Sequence, residues 1–168
     1  MRASPLEPSA VRIETERLVL VLPGPAGAAR VARFYVDNTA HLAPWEPPRP
    51  EGFSTEAGQV EKLADDLREA AADRSLRTFV FRRDEGPGGE VVGLVNLSQI
   101  TRGPLQSCFL GYSLAASAQG KGYMVEAVGA VIRFAWDELA LHRIQASYAP
   151  ANERSAKVLK TLGFTVEG

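Results

Sequence analysis

Apolar side chains recur at helical spacing in four segments of the chain. In residues 122–141 they recur every three or four positions, which predicts a helix that follows Gly122 directly. Residues 55–72 show an amphipathic helical pattern, with Ser54 or Thr55 available as the N-cap. Two shorter segments with the same period lie at 26–36 and 152–162.

Five other segments are rich in apolar and β-branched residues and are bounded by turn residues, a pattern typical of strands. They are residues 17–22, 78–82, 90–98, 107–114 and 143–148. The glycine- and proline-containing loops at 84–89 and near 102–104 predict hairpin turns between the middle strands. Residues 41–53 hold four prolines and are predicted to be irregular. Long ordered loops of this kind are often functional.

The order of these elements constrains the fold. Short hairpin loops require antiparallel pairing of the three middle strands, whereas the crossover helix at 122–141 lets its two flanking strands run parallel. The sequence therefore predicts an α/β (α+β) fold with a mixed, mainly antiparallel sheet and helices on both faces. If the two parallel strands splay apart beyond the glycine turn, a ligand can bind in the cleft between them.

Composition narrows the classes of protein. A chain of 168 residues predicts one domain, here residues 11–168 after a loose arm at 1–10 with little apolar content. The net charge of −1 gives no support for nucleic-acid binding, and the lone cysteine, Cys108, excludes an internal disulfide or a cysteine zinc cluster. Neither histidine has metal-ligand spacing, so no metal is expected. Without a long apolar run or a signal-like start, the sequence predicts a cytoplasmic protein with no membrane partner.

A glycine-rich turn precedes the long helix. It reads Gln119-Gly120-Lys121-Gly122-Tyr123-Met124 and lies between a strand and a helix. Free backbone N–H groups at a helix N-terminus, together with the helix dipole, suit an anion such as a pyrophosphate. The other interpretation is a plain tight turn that caps the helix, and the turn alone does not decide between them. A P-loop is disfavoured because Gly122 stands where that motif has Ser or Thr.

The motifs resemble those of the GNAT acyl-CoA N-acetyltransferases. That family places R/Q-x-x-G-x-G/A at this junction, and the chain matches it at Gln119 and Gly122 but has Met124 at the last position. The turn followed by Glu126-Ala127 resembles the branch that acetylates ribosomal-protein N-termini. Further motifs resemble its RimJ-type members: residues 41–47 (HLAPWEP), 93–98 (GLVNLS), 110–113 (LGYS), 142–144 (HRI), and Asn152 with Arg154-Ser155.

This resemblance implies a GNAT fold and acetyl-CoA as the co-substrate. The backbone at 114–116 would contact the pantetheine arm and stabilise the thioester oxyanion. Asn152 would touch CoA, in addition to or instead of serving as an N-cap. The implied CoA-binding residues are Leu114, Ala115, Ala116, Gln119, Gly120, Lys121, Gly122, Tyr123, Met124, Asn152 and Ser155.

The resemblance also suggests catalytic and acceptor residues. Ser155 would donate a proton to the leaving thiolate, because the position where many GNAT enzymes have tyrosine holds Leu159; the alternative is a solvent-facing serine. Glu46 and Trp45 would line the opening of the acceptor site, and the Glu46 carboxylate would attract the amine. The alternative is that Glu46 is solvated and that Trp45 only fills a gap at the edge of the core. Asn96 would bind peptide backbone or complete a network beside the sheet. Glu126 and Cys108 are expected to be structural.

We expect an acetyl-CoA-dependent N-acetyltransferase in which an amine attacks the thioester directly in a ternary complex. A protein α-amine has a pKa of about 8, against about 10.4 for lysine, and so demands less from a general base. The predicted acceptor is therefore a protein N-terminus, possibly of a ribosomal protein. Two alternatives stay open: a small-molecule amine acetyltransferase, such as one acting on an antibiotic, and a non-catalytic CoA-binding module.

The family continues past Gly163-Phe164 with two more strands, whereas this sequence stops at Gly168. We therefore expect the sheet to lack those strands and the strand at 143–148 to have an open edge. An open edge is a template for pairing with another chain, so the sequence predicts a possible homodimer.

Overall fold

A six-stranded mixed sheet forms the centre of the computed structural model, which describes residues 6–168. The strands lie side by side in chain order, antiparallel from the first to the fifth, and only the last pair is parallel. They are β1 (Arg12–Glu14), β2 (Leu18–Val21), β3 (Leu76–Arg82), β4 (Val91–Thr101), β5 (Ser107–Leu114) and β6 (Arg143–Ala146).

Helices cover both faces of this sheet. Helices α1 and α3 pack together on one face, α1 against β4 and α3 against β3, whereas α4 and α5 pack together on the other face, where α4 contacts β1, β2, β4 and β5. They are α1 (Ala28–Asp37), α2 (Thr39–Leu42), α3 (Glu56–Ala71), α4 (Tyr123–Asp137) and α5 (Glu153–Thr161). Strand β3 is buried on both faces and reads as a nearly continuous apolar run, with Phe79, Val80 and Phe81 fully inaccessible or nearly so. The predicted fold class is confirmed.

Most predicted elements are present, with boundaries shifted by a few residues. The predicted cap Thr55 accepts a hydrogen bond from the Gly58 N–H at 3.0 Å. Helix α4 ends at Asp137 rather than near 141 because Ala140 adopts a left-handed conformation (φ 52°), although Leu139 and Leu141 still pack into the core. Strand β1 was missed because three residues are too short for a recognisable pattern.

The proline-rich loop departs from the prediction at its start. His41 and Leu42 belong to the short helix α2, which follows α1 almost without a break, and irregular structure begins only at Ala43. The first proline of this segment is Pro44, so the residues of α2 keep all their backbone N–H groups and stay helical.

Part of the predicted loose arm is packed onto the domain. Pro8–Ala10 forms a 3-10 helix with Pro8 buried, and Leu6 packs against the core. Burial of the Leu6 and Pro8 side chains therefore holds residues 6–10 on the domain, although their composition predicted a loose arm. Residues 1–5 of the predicted arm lie outside the described residues.

The two parallel strands diverge at their carboxyl ends. Pairing between β5 and β6 runs from Ser107–Arg143 to Leu110–Ala146, after which β5 continues to Leu114 without β6 beside it. This splay confirms the predicted cleft and sets its position.

The last strand, β6, forms one edge of the described sheet. Helix α5 ends at the predicted glycine, where Gly163 has φ 86° and the Phe164 N–H donates to the Leu159 carbonyl, as in a Schellman motif. Residues 164–168 follow without regular structure, and Glu167 forms an ion pair with Arg143 on β6 at 2.5 Å. The homodimer stays a prediction. Among residues 6–168, no helix combines the length and apolar character that a membrane span requires.

Candidate active site

The splay between β5 and β6 opens a cleft of about 1380 Å³. One wall carries the glycine turn and α5, and the opposite wall carries the proline-rich loop. Most residues predicted from the sequence line this cleft: Trp45, Glu46, Asn96, Leu114, Gln119, Gly120, Gly122, Tyr123, Met124, Asn152 and Ser155. Three predicted CoA contacts, Ala115, Ala116 and Lys121, are not among the lining residues.

The glycine turn has the backbone that an anion site needs. Gly120 and Gly122 have φ angles of 78° and 76°, a left-handed conformation that other residues adopt only at a cost. Helix α4 starts directly after Gly122, and no side chain in the described part of the chain, residues 6–168, caps its N-terminus. The first N–H groups of α4 therefore remain available to a ligand in the cleft.

An ion pair between Arg17 and Glu126 holds the glycine turn in place. The Arg17 guanidinium donates to the Lys121 carbonyl at 2.7 Å and to the Glu126 carboxylate, which also accepts from the Thr15 hydroxyl at 2.5 Å. Burial raises the pKa of Glu126, but hydrogen bonds from Thr15 and Arg17 outweigh it, so the net pKa is lowered. The expectation that Glu126 is structural agrees with these contacts.

Lys121 is not one of the lining residues, but its ammonium lies near one of them. Its ammonium lies 5.8 Å from the centre of the Tyr123 ring, and the Arg17 guanidinium lies 4.8 Å from the same ring. Lys121 therefore adds positive charge near the start of α4, which favours an anion by long-range attraction, whereas the charge of Arg17 is balanced by Glu126.

The backbone at the end of β5 offers fewer free donors than predicted. The Ala115 N–H donates to the Val92 carbonyl at 2.8 Å, and the Ala116 N–H donates to Asn38 Oδ1 at 2.9 Å. Both N–H groups already have partners, so the contact of Ala115 and Ala116 with the pantetheine arm stays a prediction without a free N–H donor to support it. Since N–H groups alternate sides along a strand, the Leu114 N–H points the other way, into the cleft.

Ser155 forms a hydroxyl pair with Tyr112 of β5. The two side-chain oxygens lie 2.8 Å apart, and the Tyr112 hydroxyl also donates to the Ser155 carbonyl at 3.1 Å. Asn152 caps α5 by accepting from the Ser155 N–H at 3.1 Å, so its Oδ1 is in use and its Nδ2 is left for a ligand. Leu159 is 5% exposed and belongs to the core, as expected for a residue that cannot donate.

The Tyr112 hydroxyl stays protonated at neutral pH. Burial raises its pKa above the ordinary value, and the hydrogen bond with Ser155 offsets only part of this effect. The pair therefore holds two protons within reach of each other and of the cleft. Sequence reasoning missed Tyr112, although its position on a strand beside the cleft was a usable signal.

Glu46 lies on the opposite wall and is largely buried. One carboxylate oxygen accepts from the Ser113 hydroxyl at 2.5 Å and the other from Arg49. The side chain is 19% exposed, so the alternative of a solvated carboxylate is wrong. Trp45 is 46% exposed at the same mouth, so it does not plug the core edge.

A polar bridge connects three walls of the cleft. His41 Nε2 lies 3.1 Å from both the Leu114 carbonyl oxygen and the Gln119 amide nitrogen, and Gln119 Oε1 accepts from Arg154 at 2.5 Å. His41 thereby links α2 to β5 and the glycine turn, and Arg154 links that turn to α5.

Cys108 has no place in this site. It is buried at the start of β5, and burial raises the pKa of its thiol to about 11, so the thiol is protonated at neutral pH. Within residues 6–168, no cluster of His, Cys, Asp and Glu side chains has the geometry of a metal site.

Comparison with known proteins gives the family. Residues 17–165 match the Acetyltransferase (GNAT) domain. The chain belongs to the GNAT acetyltransferase family. This result confirms the enzyme class expected from the glycine turn and the motifs around it.

Individual relatives of this GNAT acetyltransferase agree. The [ribosomal protein uS5]-alanine N-acetyltransferase of Escherichia coli is 40% identical over 159 residues, which cover 94% of this chain and 80% of that enzyme. The crystal structure of ribosomal-protein-S5-alanine acetyltransferase from Vibrio fischeri is 37% identical, with a TM-score of 0.87 over 94% of this chain and 85% of that one. RimJ of Mycobacterium smegmatis, solved with CoA-disulfide, is 28% identical with a TM-score of 0.82 over 90% and 71% of the two chains.

Arg49 positions Glu46 in this acetyltransferase. Its guanidinium lies 4.3 Å from the centre of the Tyr35 ring and 4.5 Å from that of Phe53, a position that holds the cation in place. Burial between these rings lowers the pKa of Arg49, although the group stays charged. The Arg49 cation thereby neutralises the partly buried Glu46 carboxylate, whose other oxygen accepts from Ser113.

We expect Arg49→Met to raise the KM for the acceptor about tenfold, because Glu46 loses a charged hydrogen bond while the apolar stem keeps the rings packed. Affinity for acetyl-CoA, measured by calorimetry, should not change. The matched control is Arg33→Met, since Arg33 pairs with Asp37 on the surface and its side chain is 77% exposed. An unchanged KM for Arg49→Met would show that Arg49 does not position Glu46.

Proposed function

We propose that this protein transfers an acetyl group from acetyl-CoA to the N-terminal α-amine of a protein. The observation that carries the proposal is one cleft that combines an anion-binding turn, a protonated hydroxyl pair and a held carboxylate. The Escherichia coli and Vibrio fischeri relatives act on the alanine of ribosomal protein S5 (uS5), which supports a ribosomal protein as the acceptor. An acceptor of that kind also supports the predicted cytoplasmic location.

Acetyl-CoA would lie along the splay between β5 and β6. The N–H groups after Gly122 would bind the pyrophosphate, and the Leu114 N–H would donate to the thioester oxygen as negative charge develops there. Asn152 would use its free amide nitrogen. The CoA bound in the Mycobacterium smegmatis structure supports this assignment for a related fold.

The chemical step is a direct attack of the neutral amine on the thioester carbonyl. The nitrogen forms a bond to the carbonyl carbon, the carbon–sulfur bond breaks, and the amine loses one proton. Ser155 donates a proton to the departing thiolate and is reprotonated through Tyr112. The amine proton leaves through Glu46 or an ordered water.

The protonation states set the expected pH dependence. An α-amine with a pKa of about 8 becomes neutral as the pH rises through that value, so kcat/KM for a peptide should increase from pH 6 to about pH 9. Tyr112 does not limit activity in this range, because its raised pKa keeps the acid protonated.

The named relatives favour a protein α-amine over a small molecule. The Escherichia coli enzyme and the Vibrio fischeri structure are both named for the alanine of ribosomal protein S5. The cations near Glu46 do not decide between the two acceptors, because Arg49 pairs with Glu46 and Arg77 lies 3.7 Å from the Asp66 carboxylate. The small-molecule alternative is therefore not favoured.

Thiol release from acetyl-CoA tests the proposal. The acceptors are an alanine-started tetrapeptide, the same peptide with a blocked N-terminus, spermidine and an aminoglycoside. We expect release only with the free tetrapeptide. Release with spermidine or the aminoglycoside alone would support the small-molecule alternative, and no release with any amine despite acetyl-CoA binding would support a non-catalytic module.

A further inference from the structure

Three residues form a row across the sheet beneath the acceptor half of the cleft. Arg77 of β3 pairs with Asn96 of β4, and Asn96 pairs with Gly111 of β5. Residues directly opposite each other in an antiparallel pair point to the same face of the sheet. The three residues therefore share one face, and all three line the cleft.

This row lies on the face that carries the acceptor loop. Ser113 follows Gly111 by two positions, so both point to the same side, and the Ser113 hydroxyl contacts Glu46. Arg77 reaches the Tyr35 hydroxyl on α1, which covers that same face. Tyr112 points to the other face, towards Ser155. The row is thus on the amine side of the cleft rather than on the side of the hydroxyl pair.

The Asn96 side-chain amide has unused hydrogen-bonding capacity. It is half-buried and makes no hydrogen bond to any group of residues 6–168. This finding disagrees with the alternative that Asn96 completes a network beside the sheet. A half-buried amide without partners is costly unless water or a ligand satisfies it. Its oxygen accepts and its nitrogen donates, so it can bind both polar groups of one peptide unit.

Gly111 leaves open space next to this amide. Apart from the chain neighbours of Gly111, no atom of residues 6–168 lies within 4 Å of a Cβ added at this position. The residue lies directly after Leu110, the last position at which β5 pairs with β6, and so at the point where the cleft opens. The missing side chain allows a main chain to approach the floor of the cleft closely.

We propose that Asn96 binds the first peptide unit of the acceptor and that Gly111 provides the room for it, so the enzyme recognises the main chain that follows the α-amine. This inference rests on the proposed function and adds a determinant of specificity to it. Glu46 lines the cleft on the same face of the sheet, and Asn96 requires a peptide group one residue beyond the amine. An amine without that group would leave the Asn96 amide unsatisfied.

A backbone substitution in the acceptor tests the contact with Asn96. The probes are an alanine-started tetrapeptide and the matching depsipeptide, in which an ester oxygen replaces the first peptide N–H. We expect wild-type kcat/KM to be about tenfold lower for the depsipeptide, since one buried acceptor loses its partner. Asn96→Ala should lower kcat/KM for the peptide by a similar factor. The variant should have about the same kcat/KM for the peptide and for the depsipeptide. Ser98→Ala, on the same strand and face but outside the cleft lining, is the control.

A side chain at position 111 tests the open space independently. Gly111 does not have a left-handed backbone, so Gly111→Val introduces a residue that suits a strand and should leave the fold intact. We expect kcat/KM for the peptide to fall at least about tenfold, with acetyl-CoA affinity by calorimetry unchanged.

The outcomes separate this inference from the proposed function. If the wild type acetylates the peptide but Asn96→Ala still discriminates against the depsipeptide, the contact with Asn96 is wrong while the proposed function stands. Full peptide activity in a folded Gly111→Val variant would likewise overturn the proposed role of Gly111. If the wild type acetylates neither probe, both the function and this inference fail.

Discussion

Gly122→Val should weaken acetyl-CoA binding by at least about tenfold, or 1.4 kcal/mol. Valine is β-branched and disfavours the left-handed backbone that Gly122 adopts at φ 76°. Its side chain would also fill space at the N-terminus of α4, where we expect the pyrophosphate to bind, and a Cβ would lie 3.5 Å from Arg17 Nη2. Isothermal calorimetry with acetyl-CoA measures the effect.

Backbone strain alone must be separated from loss of the anion site. Gly103→Val is the matched control, because Gly103 has φ 73° in a hairpin loop, has no atom within 4 Å of an added Cβ, and does not line the cleft. Both variants should lower the Tm, but only Gly122→Val should lose affinity. Unchanged affinity in a folded Gly122→Val variant would refute the assignment of the turn to the CoA phosphates.

Ser155→Ala should lower kcat about 10²–10⁴-fold, the usual cost of losing one proton donor. Affinity for acetyl-CoA should change little, because Asn152 accepts from the Ser155 backbone N–H, which alanine keeps. Steady-state kinetics combined with calorimetry separates the two effects. Ser155→Thr retains a hydroxyl and should restore much of the rate.

Tyr112→Phe tests the relay behind Ser155. It removes the hydroxyl that lies 2.8 Å from Ser155 Oγ but leaves the proposed donor itself in place. We expect a smaller loss of kcat than for Ser155→Ala. If kcat of Ser155→Ala stays within about twofold of wild type, Ser155 is not the acid. A larger loss for Tyr112→Phe than for Ser155→Ala would assign the acid to Tyr112.

Local patterns were enough to predict the sheet, the splayed strands and the glycine turn. The hairpin loops set antiparallel pairing, and a crossover helix between the last strands set the parallel pair. Predictions failed where local pattern and tertiary packing compete. Ala140 adopts a left-handed backbone and ends α4 early, although the apolar period continues to Leu141.

The contacts within the cleft depend on pairs that are distant in the sequence. Tyr112 meets Ser155 only because α5 packs beside β5, and Glu46 meets Ser113 only because the proline-rich loop folds over the sheet. Arg49 lies in an irregular segment that has no period to indicate where its side chain points. Neighbouring side chains on a strand point to opposite faces of the sheet, so the sequence does predict that Tyr112 and Ser113 face different walls of the cleft.

The position of the acetyl group in the product shows directly whether the enzyme modifies an α-amine or a lysine. A synthetic peptide that starts with alanine and contains one internal lysine presents both kinds of amine in one molecule. After incubation with acetyl-CoA at pH 8, tandem mass spectrometry locates the modification. We expect a single acetyl group on the alanine α-amine and none when Glu46→Gln and Ser155→Ala are combined. Acetylation of the lysine instead, or an unmodified peptide with intact acetyl-CoA, would contradict this expectation.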